Sequence, residues 1–126
     1  MPIVLALASL VSACGAELKV APFCGDHMVV QRDQPIVELG SAGPGERVTA
    51  EFAGDRAAAV ADAEGVFTLR LPAQRASKQG RVLTVRGESG AIELQDVLVG
   101  DVWLCTGQSN MEISMNDLQV SAEAKE

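Results

Sequence analysis

Toward the end of the chain the sequence reads "DVLVGDVWLCTGQSNM", Asp96 to Met111. An almost continuous apolar run gives way to Gly107, Gln108, Ser109 and Asn110. A serine at a strand-to-helix turn can act as a nucleophile. The turn lifts its Oγ clear of the sheet, and the first amides of the helix face the oxyanion that forms when an ester is attacked. Gly107 lets the backbone turn tightly and lets a substrate approach it. The same letters also fit a capping box over Ser109 to Glu112. In that role the serine side chain accepts from a helix amide and Glu112 reaches back. The turn pattern by itself is compatible with both roles.

Two kinds of element must position this turn. "RVTAEF", "VFTLRL", "RVLTVRG" and "AIELQ" alternate with period two. They set Val48, Ala50, Phe52, Phe67, Leu69, Leu71, Leu83, Val85, Ile92 and Leu94 on one face and polar residues on the other. Turn chemistry separates them at Ser41–Glu46, Ala53–Asp55, Asp62–Gly65 and Gly87–Gly90. "AQRASKQG", Ala73 to Gly80, reads as a polar surface loop. Short half-buried strands at this spacing predict a β-sandwich over residues 17–98. The run from Asp96 breaks the alternation and suits a strand covered on both faces. After it, Met111, Met115 and Leu118 recur at helical spacing. Residues 99–126 therefore read as the strand, turn and helix that begin an α/β unit. The expected fold is mainly β, a sandwich followed by the first piece of a second domain.

The turn motif, with "GDHMVVQRDQP" at Gly25 to Pro35, resembles the sialate O-acetylesterase family, SGNH-type serine carbohydrate esterases. The turns at Pro44–Glu46 and Asp62–Gly65 fall where that family also has turns. The resemblance implies that Ser109 is the nucleophile and that its backbone N–H helps to form the oxyanion hole. It implies that Gln108 and Asn110, with Gly107, shape the turn or the substrate pocket. The substrate would be an O-acetylated carbohydrate, and the reaction would need no metal or organic cofactor. In that family further oxyanion donors and a histidine in an Asp-x-x-His motif lie well downstream of the serine. No such residues follow Ser109 here, so the chain is expected to be an N-terminal portion that lacks most of the catalytic domain and is inactive alone. His27, the single histidine, belongs to the first motif and reads as structural. Serine without a base stays protonated and attacks poorly.

The first sixteen residues, "MPIVLALASLVSACGA", are apolar and then small, as in an export signal. "VSAC" also looks like a lipobox that would place a lipid on Cys14. These features predict an exported protein, periplasmic, extracellular or lipid-anchored. In an oxidising compartment Cys24 and Cys105 could pair or could remain free thiols. Ten Lys and Arg stand against seventeen Asp and Glu, a net charge of −7. This balance repels phosphate backbones, so nucleic acid is not an expected partner. A second class of function remains open, a secreted sandwich that binds carbohydrate or serves as packing. Against sugar binding stands the scarcity of aromatic rings: three Phe, one Trp and no Tyr.

Overall fold

The computed structural model describes residues 16–108. Cys14, Ser109, Asn110 and the helix expected after them lie outside the described residues. Eight strands follow one another: β1 (Lys19–Val20), β2 (Val29–Gln31), β3 (Ile36–Ser41), β4 (Arg47–Phe52), β5 (Asp55–Val60), β6 (Val66–Leu71), β7 (Ser77–Gly87) and β8 (Gly90–Gly100). They form a three-stranded sheet in the order β1-β3-β6 and a five-stranded sheet in the order β2-β8-β7-β4-β5. The expected mainly-β sandwich is what forms.

The core lies between the sheets and follows the alternation of the sequence. Val48, Ala50 and Phe52 of β4 meet Phe67, Leu69 and Leu71 of β6, and Leu83 and Val85 of β7 complete the layer, all buried. Period two puts each of these side chains on the inner face and leaves Arg47, Glu51, Thr68 and Arg70 outside. β3 keeps the period but not the residue types. Ile36 and Glu38 are buried, while Val37 and Leu39 point outward and are about 40% exposed. Gly40 continues the inner face of β3, where any side chain would run into the Phe67 ring and the Lys19 carbonyl.

Two connections show how local chemistry sets the hairpins. Ala53 and Gly54 join β4 to β5, with φ of 53° and 88°, and the flanking Phe52 and Asp55 pair directly. Two positive φ values in a two-residue loop match the right-handed twist of the strands. At the β3–β4 connection the Glu46 carboxylate accepts from Gly43 N at 2.8 Å, Glu88 N at 2.6 Å and Ser89 N at 3.2 Å. One side chain thereby ties this turn to the β7–β8 turn, and the amides hold its carboxyl below the usual range.

Two expectations are corrected. Ser77–Gly80 belongs to β7, so the polar connector ends earlier than Gly80. The run beginning at Asp96 is not the first strand of another sheet, because Asp96–Gly100 lies in β8 of the five-stranded sheet. Leu83 pairs with Leu94 but Arg81 pairs with Val97, so Val82 faces both Gln95 and Asp96. This is a β-bulge, with Asp96 at φ 52°. The extra residue moves the inner face from Ile92 and Leu94 to Val97 and Val99, which are buried. What reads as a broken alternation is one strand whose phase resets.

Candidate functional site: the clasp ahead of the serine turn

β8 leads the chain toward the serine turn, and the first sequence motif grips it from Gln95 to its end at Gly100. Asp26 Oδ1 accepts from Gln95 N at 2.7 Å, and His27 N donates to Gln95 O at 2.8 Å. Both contacts fall on the bulge, whose displaced backbone leaves those groups free of the β7 ladder. His27 Nδ1 lies 2.9 Å from Asp96 Oδ2. Gly80 of β7 makes room for that carboxylate, since a side chain there would collide with Asp96. Beyond the bulge β2 runs parallel to β8, with Val29 opposite Leu98 and Gln31 opposite Gly100.

At the exit the grip passes to side chains. Arg32 N donates to Gly100 O at 2.8 Å, and Arg32 Nε lies 3.2 Å from Asp101 Oδ1. Val102 N donates to Gln31 Oε1 at 2.8 Å. His27 and Asp33, on either side of β2, both hold positive φ, 63° and 56°. These left-handed residues let a three-residue strand enter and leave beside β8 within one short motif. The two motifs, far apart in sequence, are one unit in the fold.

β8 ends at Gly100, and residues 101–107 form no regular structure. Trp103 and Leu104 are 84% and 91% exposed, and Gly107 and Gln108 are exposed. Ser109 and Asn110, and with them both the nucleophile and the capping-box readings, lie outside the described residues. His27 sits at the bulge, at the opposite end of the β2–β8 pair from the exit. From Asp96 to Gly100 the strand advances about 13 Å away from it. The hydrogen bond to Asp96 raises the His27 pKa above its ordinary value. An exposed imidazole bound to a carboxylate that fastens a bulge fits the structural role read from the sequence.

The roles of Asp26, Gln31, Arg32 and Asp96 were not read from the sequence. A period of two followed by a spacing of three, Leu94 to Val97, was the available signal for the bulge. Cys24 and Cys105 are both free thiols. Cys24 is half-buried, and burial together with the neighbouring Glu38 pushes its pKa up to about 12, far from the range of a reactive thiolate.

Comparison with known proteins agrees with the resemblance. The chain is similar to the sialate O-acetylesterase of Mus musculus, at 25% identity over 92% of this chain and 23% of that protein. It is also similar to the sialate O-acetylesterase of Rattus norvegicus, at 27% identity over 98% of this chain and 24% of that protein. The chain thus spans about a quarter of the length of these curated relatives. A crystal structure of a carbohydrate acetylesterase from Xanthomonas citri matches 75% of this chain and 22% of its own, with a TM-score of 0.70 and 44% identity. No family model matches. These relatives bear out the likeness to a sialate O-acetylesterase-like family.

Proposed function

We propose that the chain is the sandwich-bearing portion of an exported carbohydrate O-acetylesterase, with Ser109 as its nucleophile. The observation that carries this reading is the joining of the two motifs into one clasp around the strand that leads to Gly107-Gln108-Ser109. Ser109 Oγ attacks the acetyl carbonyl, its proton passes to a base, and the sugar leaves with a proton returned to its oxygen. Water then attacks the acyl-serine ester and releases acetate. The Ser109 N–H is one donor to the oxyanion, and Gly107, Gln108 and Asn110 shape the pocket. The reaction also needs a base and further oxyanion donors beside Ser109.

The substrate is an O-acetylated sugar, supported by what the relatives act on. The apolar leader, cut or lipidated near Cys14, directs export.

Acyl trapping tests the nucleophile. This chain would replace the matching stretch of the Xanthomonas citri enzyme, and the chimera would be treated with a fluorophosphonate. Intact-mass and peptide analysis should place the adduct on Ser109. An adduct on another serine would refute the assignment.

A further inference from the structure

The outer face of the five-stranded sheet holds a depression of about 280 Å³, lined by Thr49, Glu51, Arg56, Thr84 and Arg86, among others. Period two and the strand register bring these side chains together from β4, β5 and β7. Glu51 stands opposite Arg56 on one side and Thr84 on the other, and Thr49 stands opposite Arg86. Thr49 and Thr84 are short and half-buried, whereas Glu51, Arg56 and Arg86 are exposed around them. Arg56 Nε donates to Glu51 Oε2 at 3.1 Å, so the one carboxylate of the site is already balanced. Arg86 forms no ion pair among the described residues. Its neighbours across the strands are the uncharged Thr49 and Ala91. In a chain of net charge −7, this guanidinium is left facing outward beside two hydroxyl groups.

We propose that this depression binds a sugar that carries a carboxylate, of the uronate kind. A guanidinium presents its N–H donors as a planar fork that matches a carboxylate in two parallel hydrogen bonds. Arg86 supplies that fork. The Thr84 hydroxyl both donates and accepts, and the second Glu51 oxygen accepts, which is what the hydroxyls of a sugar ring require. Glu51 also sets the charge of the ligand. Two guanidinium groups against one carboxylate favour a single negative charge spread over a polyhydroxyl ring and disfavour a doubly charged phosphate. The volume is close to the lower end of small-molecule sites, roughly 300 Å³, and suits one ring. No aromatic side chain is among the residues lining the depression. A neutral sugar would miss that stacking surface, whereas a carboxylate is held by charge instead. The scarcity of aromatic rings therefore does not weigh against this ligand, and the inference does not depend on the ester chemistry or on Ser109.

The 126-residue chain, isotopically labelled, would be titrated with methyl glucuronide at constant ionic strength and followed by its amide chemical shifts. Methyl glucoside, with a hydroxymethyl group in place of the carboxylate, and sodium acetate, with the carboxylate alone, would be run beside it. Shifts at Thr49, Glu51, Thr84 and Arg86 should saturate with the glucuronide at a dissociation constant on the order of 1 mM, as befits an exposed charge pair. Each control should bind about tenfold more weakly or less. Arg86→Gln should weaken glucuronide binding about tenfold, and the isosteric Thr84→Val about threefold. Arg70→Gln, exposed on β6 of the other sheet, should leave it unchanged. Unshifted amides at the buried Val48 and Val85 show that each variant keeps the sandwich. Equal binding of the glucoside would overturn the role of the carboxylate, and equal binding of acetate would overturn the recognition of a sugar. Shifts that never saturate, or that persist undiminished in both Arg86→Gln and Thr84→Val, would overturn the site itself.

Discussion

The two buried carboxylates of the sandwich sit in opposite surroundings. Glu46 is 8% exposed and accepts three backbone amides that join two turns. Glu38 is 2% exposed, with one oxygen unpartnered among the described residues and a Cys24 thiol for company. One carboxyl is held below its ordinary pKa by amides, and the other is pushed above it by burial. The first region is complete in itself: its turns, core and polar groups are satisfied by this chain's own sandwich. The second, around Cys24 and the exit of β8, carries exposed Val, Trp and Leu and a starved carboxylate. The contrast separates a part of the fold whose carboxylate is satisfied by backbone amides from a part whose carboxylate and apolar side chains are not.

Damage to the closed half should be the most costly. Phe67→Ala removes a ring packed against Gly40 in the centre of the sandwich, a loss of about 3–5 kcal/mol. That is a large fraction of the stability of a small domain. Urea titration should show a midpoint shifted far down, and a shift of only a few tenths of a kcal/mol would mean that the core is looser than its burial implies.

The two carboxylates can be told apart by pH. Glu38→Gln relieves a buried charge, so it should raise the melting temperature at neutral pH by the equivalent of about 1–3 kcal/mol. Because the folded pKa of Glu38 is raised, this advantage should vanish below the unfolded carboxylate pKa. It should grow as pH rises through the folded value. Glu46→Gln should do the reverse. It should lower the melting temperature at neutral pH, because a depressed folded pKa means stability that is present above the unfolded pKa and lost as pH falls through the folded one. Parallel pH profiles for the two variants would erase the distinction between the regions.

Smaller effects belong to the seam. Gln31→Ala removes the acceptor for Val102 N, worth about 0.5–1.5 kcal/mol locally. Amide exchange should accelerate at Val102 while Val48 and Val85 stay protected. Ala53 holds a left-handed conformation that Asn tolerates better. Ala53→Asn should therefore add up to about 1 kcal/mol to stability without altering the seam.

The closed half was legible because its strands obey one rule. In "RVTAEF" and "VFTLRL" apolar and polar residues alternate, and burial follows letter by letter. β3 escaped because its letters point the wrong way: Val37 and Leu39 face out, while Glu38 and Gly40 face in to admit Phe67. β5, "DRAAAV", carries three small alanines in succession and so offers no alternation. β8 misled through the bulge at Asp96, which shifts the phase by one residue and makes a single strand look like two. At the site, the motifs marked Gly25–Pro35 as part of a family resemblance and Ser109 as the residue for chemistry. That the first is a clasp for the strand leading to the second depends on pairing across about seventy residues, which local patterns do not encode.

The nucleophile assignment for Ser109 is tested most directly by acetate release. The chimera carrying this chain within the Xanthomonas citri acetylesterase would be compared with its Ser109→Ala variant on an acetylated sugar. Loss of the nucleophile from a serine hydrolase lowers turnover by about 10⁴-fold or more, and that is the expected result, with the melting temperature unchanged. Full acetate release from the Ser109→Ala chimera would contradict the assignment and leave Ser109 a helix cap.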